Sequence, residues 1–518
     1  MAIGGRSRVA VVGPLRATVQ GGRLRGVLAG LALALLSGCA VGPDFTPPPA
    51  PDVIGYIKGR LPTQTASANV AGGASQRFVR GRDISGEWWT MFRSRGLRAL
   101  VEESLRNNPD VWSAQAALRV ARANTNVQRG AFWPSVDAEF DATRQKLPAD
   151  VNGEVPQPRI FNVFTAQVSV SYTPDVFGAN QRAVESLEAQ EAGQRFALEA
   201  TYLTLTSNIV VGAVQEANLR GQIEATQTII KIERDVLDLM RRQFGLGQIA
   251  EADVVTQEAA LAQVEQTLPP LQRQLEQQRH QLTALAGRFS SQEITQRFEL
   301  GSFTLPQNLP LSVPSKLVEQ RPDVRAAEEN LRSASAQIGV AIANRLPNIT
   351  ITAVQGSQAF ELEKLFSPTT GFWSLAGAVA QPIFRGGALL QKELGARAAY
   401  DQAAWQYRST VIAAFQNVAD VLSALRTDAD LLQKAVASER ATKRSLDIAR
   451  ERLRLGDINF LLVLNAQQAY QTALLALVQA RANRFADTAA LYQALGGGWW
   501  NRNDVAPEPP TAAVMIFQ

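Results

Sequence analysis

Apolar and polar residues alternate strictly along Val136-Asp137-Ala138-Glu139-Phe140-Asp141-Ala142 and again along Phe164-Thr165-Ala166-Gln167-Val168-Ser169-Val170-Ser171. Successive side chains of a strand point to opposite faces, so each run predicts a β-strand with one greasy face and one wet one. Weaker versions follow at Asn348-Ile349-Thr350-Ile351-Thr352 and Trp373-Ser374-Leu375-Ala376-Gly377-Ala378-Val379. Four strands are expected, with Val136, Phe140, Val168, Val170, Ile349, Ile351, Leu375 and Val379 as their apolar positions. After each strand pair the period lengthens. Residues 179–244 and 388–455 contain no proline and are rich in Ala, Gln, Leu, Glu and Arg, which predicts helices reaching ~100 Å each. A stripe such as Val411, Phe415, Val418, Val421, Leu422 and Leu425 marks a side that packs on neighbouring helices. Each helix runs into a glycine turn, Phe244-Gly245-Leu246-Gly247 or Leu455-Gly456-Asp457, where glycine supplies a left-handed cap. A returning helix follows over 249–286 or 458–495, interrupted in the first instance by Pro269-Pro270, so two long helical hairpins are expected.

This order of elements is written twice. Asn108-Pro109-Asp110-Val111 recurs as Arg321-Pro322-Asp323-Val324, and Phe132-Trp133-Pro134 as Arg345-Leu346-Pro347, both 213 residues on. Pro174-Asp175-Val176-Phe177 resembles Pro382-Ile383-Phe384, Gly247 matches Gly456, and Ala286-Gly287 matches Leu495-Gly496, with only a small drift in spacing. The expected organisation is a signal peptide at 1–38 and an N-terminal spacer and collar at 39–92. A first repeat covers 93–290, with its strand pair at about 134–176 and its hairpin at 179–287. A linker at 291–314 leads to a second repeat at 315–497, with its strand pair at about 347–384 and its hairpin at 388–495, and an irregular tail closes the chain at 498–518. The fold class is mainly α with membrane β. Pro43, Pro47, Pro48, Pro49 and Pro51, followed by Gly and Ser, read as extended chain.

Charge and cysteine usage place this architecture at a membrane. Arg6, Arg8, Arg16, Arg23 and Arg25 precede a short apolar run and no acidic residue occurs before Cys39, which is the layout of an export signal. Those five arginines account for the whole net charge of +5, so the remainder is near neutral and no nucleic-acid partner is indicated. Beyond residue 38 no uninterrupted apolar stretch reaches ~18 residues, so a membrane crossing is expected to use strands. Four strands cannot close a barrel, which needs at least about eight, and oligomerisation follows from that shortage. Three chains would supply twelve strands.

Cys39 is the only cysteine and cannot form an internal disulfide. Leu36-Ser37-Gly38-Cys39 resembles the lipobox of bacterial lipoproteins, which implies cleavage before Cys39 and its modification by S-diacylglycerol and N-acyl groups. Ala40 in place of aspartate then favours the outer membrane. Together with Cys39-Ala40-Val41-Gly42-Pro43-Asp44-Phe45, the Arg321-Pro322-Asp323-Val324 start, the glycine-turned hairpins and the Ala494-Leu495-Gly496-Gly497-Gly498-Trp499 ending, the chain resembles the TolC/OprM superfamily of outer-membrane efflux proteins, in its NodT-like lipoprotein branch. The resemblance implies a homotrimer with a twelve-stranded barrel in outer-membrane lipid, continuous with a periplasmic α-helical barrel. It further implies a periplasmic adaptor and an inner-membrane RND transporter as partners, with small toxic compounds as cargo. A duct for type I protein secretion and a non-conducting structural lipoprotein remain open as alternatives.

Near the tips, Leu237-Asp238-Leu239-Met240-Arg241 and Leu446-Asp447-Ile448-Ala449-Arg450 share an L-D-x-x-R pattern, each aspartate nine residues before its tip glycine. In a trimer Asp238 and Asp447 would form a ring of six carboxylates at one level, a gate that selects cations, with Arg241 and Arg450 beside them. The plainer expectation is an exposed i, i+3 ion pair. The turns themselves, Gly245, Leu246, Gly247, Leu455, Gly456 and Asp457, are expected to dock the adaptor. Catalysis has little to work with. His280 is the only histidine and lies amid glutamines on a returning helix, and no Cys/His metal constellation can be assembled. Gly245-Leu246-Gly247-Gln248-Ile249-Ala250 fits a G-x-G-x-x-A string but follows a helix rather than a strand. Four methionines do not line a copper or silver route. No enzyme activity and no cofactor beyond the lipid are expected.

Overall fold

In a computed structural model, which describes residues 40–59, 61–147 and 159–502, the chain falls into two compact units. Along the sequence come β1 (Arg77–Arg80), α1 (Arg95–Asn107), α2 (Pro109–Gly130), β2 (Ser135–Leu147), β3 (Arg159–Tyr172), α3 (Ala179–Gly245), α4 (Glu251–Glu265) and α5 (Leu268–Leu285). Then come β4 (Asn308–Leu311), α6 (Pro314–Gln320), α7 (Pro322–Ala343), β5 (Asn348–Ala359), β6 (Gly371–Ala380), α8 (Ala388–Arg454) and α9 (Phe460–Ala494). The internal repeat is visible in lengths alone. α2 and α7 both have 22 residues and open on a proline, whose missing N–H is no loss in a first turn. α3 and α8 both have 67.

The first unit takes Gln128–Val184 and Gln337–Glu393 with the N-terminal residues up to Pro43. Its centre is an antiparallel sheet in the order β2-β3-β5-β6. The register aligns Val136 with Val170, Ala138 with Val168 and Phe140 with Ala166. It continues through Val170 to Ala353 and from there to Leu375, with Ile349 opposite Val379. All eight apolar positions singled out from the alternation therefore share one face, and Asp137, Glu139 and Asp141 share the other. Gly356 is needed where β5 passes β3, since a Cβ there would lie 2.6 Å from the carbonyl oxygen of Ala166.

The second unit takes Asp44–Val127, Glu185–Ala336 and the chain from Leu394 onward. Leu205, Ile209, Val210, Ala213 and Val214 of α3 are buried in its core with Val411, Val418, Leu422 and Leu425 of α8. Both α3 and α9 contain an 18-residue stretch apolar enough to cross a membrane by composition, although neither stretch is uninterrupted. In α3 half of that stretch is buried within the structure. Toward the tips a second cluster joins Val236, Leu237 and Met240 of α3 to Leu446 and Leu453 of α8 and to Phe460 and Val463 of α9.

One expectation needs correcting. The expected N-terminal collar forms, β1 pairing in parallel with β4, but it takes in chain read as extended, since Thr65 and Gln76 are buried. The reason is a long-range polar lock, in which Arg484 Nη2 on α9 donates to Gln76 Oε1 at 2.8 Å and to the Ala74 carbonyl at 3.2 Å. Local composition carries no trace of it. As expected, the returning helix of the first hairpin is interrupted at the proline pair: it breaks at Gln266 and Thr267, and Pro269 and Pro270 sit in the first turn of α5. In the collar, Trp88 stacks on Tyr492 with centroids 5.4 Å apart, and Phe298 on Phe303 at 6.0 Å.

Candidate functional site

Three places carry the residues of functional interest: the sheet, the segment after Cys39, and the two hairpin tips. On the sheet the apolar face is bare. Val136 is 66% exposed, Phe140 58%, Leu375 70% and Val379 69%. A soluble protein would cover such a face, and contiguous exposure of this kind marks a surface that meets a partner or lipid. Each outer strand also has an open edge: among the described residues β2 pairs only with β3, and β6 only with β5. An uncovered edge of this length is a template for another strand. On the polar face Gln167 Nε2 donates to Glu139 Oε2 at 2.8 Å.

Cys39 and the signal segment lie outside the described residues. The residues that follow are tightly held within the first unit. Val41 N–H donates to the Phe177 carbonyl at 3.2 Å, and Arg182 Nε to the Val41 carbonyl at 3.2 Å. Gly42 has φ of 103° and passes so close to Gly339 that a Cβ would lie 2.5 Å from its Cα. Only glycine satisfies both the dihedral and the clearance.

The tips are twins at atomic resolution. Gln248 N–H donates to the Gln243 carbonyl at 2.9 Å across Gly247, whose φ is 74°, and Asp457 N–H to the Arg452 carbonyl at 2.9 Å across Gly456, whose φ is 75°. This six-to-one bond over a left-handed glycine is a Schellman cap. Each cap presents an exposed leucine, Leu246 at 74% and Leu455 at 66%. Asp457 is further fixed by Arg452 Nε at 2.8 Å.

Above the tips, Leu237 and Leu446 are buried while Asp238 and Asp447, one residue on, are exposed. Neither aspartate has an ion-pair partner among the described residues. The expected i, i+3 pairs do not form: Arg241 reaches Glu258 on α4 at 2.7 Å, and Arg450 reaches Asp235 on α3 at 3.6 Å. Both partners lie on neighbouring helices rather than one turn away. Asp447, Asp235, Arg450, Glu451 and Arg454 line a cleft of about 280 Å³. Local sequence gave no sign of these cross-helix pairs. It also missed Glu233, buried on α3, where desolvation raises the carboxyl's affinity for its proton against the opposing hydrogen bond from Gln257. On α9, burial together with a hydrogen bond and like charge from Asp428 pushes the Asp487 carboxyl up to about 8. His280 is exposed on α5.

The outer membrane efflux protein family matches the chain over residues 100–288 and 313–497, one match to each repeat. The toluene efflux pump outer membrane protein TtgC of Pseudomonas putida is 28% identical over 477 residues, covering 91% of this chain and 95% of that one. The antibiotic efflux pump outer membrane protein ArpC, also of Pseudomonas putida, gives the same identity and coverage. Among solved structures, the outer-membrane channel OprN superposes with a TM-score of 0.79 at 26% identity, covering 89% of this chain and all of that one.

Proposed function

The chain belongs to the outer membrane efflux protein family, and from that membership we propose that three copies form the exit duct of a tripartite efflux pump. The duct passively conducts small toxic compounds delivered by an inner-membrane RND transporter and a periplasmic adaptor. The observation that carries this reading is the four-stranded sheet with a bare apolar face and two open edges. Joining β2 of one copy to β6 of the next removes every edge, turns the apolar face to lipid and leaves Asp137, Glu139 and Asp141 on a water-filled lumen. Cys39 carries the lipid anchor, and the clamp on Val41 and Gly42 supports a fixed anchor position beside the sheet. The Asp238 and Asp447 carboxylates act as the gate, since they are exposed and have no ion-pair partner among the described residues. Leu246 and Leu455 give the adaptor an apolar foothold on each cap. Cargo is not set by the fold: relatives of equal similarity carry toluene and antibiotic in their names.

The test is ion conductance of the purified protein in planar bilayers. Discrete, long-lived channels are expected, and their absence from a folded, trimeric preparation would remove the duct and leave a structural envelope role.

A further inference from the structure

β2 separates its charges by face. Asp137, Glu139 and Asp141 fall on the polar side of the sheet, whereas Arg144 and Lys146, at the end of the strand nearest residue 147, fall on the same side as Val136, Phe140 and Ala142. Arg144 stands opposite Asn162, and Lys146 opposite Ile160, a residue that is 57% exposed. Both basic side chains are exposed, and neither has an ion-pair partner among the described residues. Two cations at the end of an apolar face are unexplained by packing. Their height explains them. On β3 the same face runs from Tyr172 to Asn162, ten residues along the strand. At ~3.3 Å per residue and a tilt of ~40°, that run rises about 25 Å, the thickness of the apolar band of an outer-membrane barrel. Tyr172 then lies at one edge of the hydrocarbon, where tyrosines settle, and Arg144 at the other.

We propose that Arg144 and Lys146 of each copy bind phosphate groups on lipids of the outer leaflet. This rests on the barrel reading above. The chemistry is charge-assisted hydrogen bonding, with the guanidinium offering a fork that matches two phosphate oxygens and the ammonium a second, adjustable cation. A neutral or zwitterionic headgroup offers less to such a pair than a doubly phosphorylated one. The placement also keeps both cations out of the lumen, where they would oppose the acidic face of the same strand.

The experiment compares full-length wild type with an Arg144→Gln/Lys146→Gln double variant. Each is reconstituted in phosphatidylcholine vesicles, in the same vesicles with diphosphoryl lipid A, and with lipid A stripped of its phosphates. Thermal dissociation of the oligomer is read in each, and single-channel conductance in phosphatidylcholine checks that the variant is folded. Diphosphoryl lipid A is expected to raise the dissociation temperature of wild type by several degrees, an increase absent from the double variant and from the stripped lipid. Inorganic phosphate added to phosphatidylcholine vesicles should not reproduce it. An equal rise in wild type and variant, or none in a conducting wild type, overturns the proposal while leaving the duct intact. Failure of wild type to insert or conduct overturns the duct reading and this inference together.

Discussion

The Arg321 guanidinium donates from Nη1 to the carbonyl oxygen of Ala494 at 3.0 Å, tying the start of α7 to the last turn of α9. Its counterpart in the first repeat is Asn108, whose Nδ2 donates to the Leu285 carbonyl at 3.0 Å. Two different side chains thus hold equivalent carbonyls that their helix ends leave without an internal partner. Arg321→Ala is expected to destabilise by about 1.5–3 kcal/mol, because the lost donor is charged, and Asn108→Ala by about 0.5–1.5 kcal/mol. Urea midpoints of the two variants check the order.

Asp487 gives a pH dependence of defined sign. Its folded carboxyl holds a proton up to about pH 8, whereas an unfolded aspartate ionises near 4. Between those limits the folded state binds more protons, so this group's contribution to stability falls as pH rises from about 4 to about 8. Asp487→Asn should flatten that slope and raise the thermal midpoint most at the alkaline end. Melting curves across the window, compared with wild type, decide it; an unchanged slope would mean that a group other than Asp487 sets the pH dependence.

Neutralising the proposed gate should alter conduction without altering the fold. Asp238→Asn/Asp447→Asn is expected to change single-channel conductance and weaken cation preference, since both carboxylates are exposed and without an ion-pair partner among the described residues. Reversal potentials under a salt gradient measure the preference. Equal values for variant and wild type would reduce the pair to ordinary surface charge.

Leu246→Glu/Leu455→Glu should leave conductance intact and abolish export in cells, because the leucines are exposed and support no core packing. Minimum inhibitory concentrations of a toxic substrate, read beside bilayer conductance, separate lost docking from a lost channel. Retained resistance would remove the tips from the adaptor contact.

A fifth expectation concerns the clamp behind Cys39. Gly339→Ala would press a methyl group against the Val41 carbonyl oxygen, 2.8 Å away, and against Arg182 Cγ at 2.7 Å. The N-terminal segment should be displaced, and limited proteolysis near residue 42 should accelerate relative to wild type. Unchanged cleavage would mean that the segment is held by other contacts.

How much of this was readable beforehand depends on which residue types carry the signal. β2 declares its faces because valine and phenylalanine alternate with ionisable acids. β6 barely does, since Ala376, Gly377 and Ala378 favour neither side and the register rests on Trp373, Leu375 and Val379. Helix length was legible because proline is absent and glycine marks the stop. The polar lock that holds the collar was not: Gln76 meets Arg484 from 408 positions away, and no local pattern announces such a contact. At the tips, counting turns along one helix predicted partners for Arg241 and Arg450. Neighbouring helices supply Glu258 and Asp235 instead.

The open edges of β2 and β6 also bear on heredity. If each subunit builds only a third of the wall, a faulty copy made beside a sound one spoils its neighbours as well as itself. With equal amounts of each and random mixing, only about one trimer in eight would contain no faulty member. A missense allele in this sheet would therefore behave as dominant where a deletion is recessive.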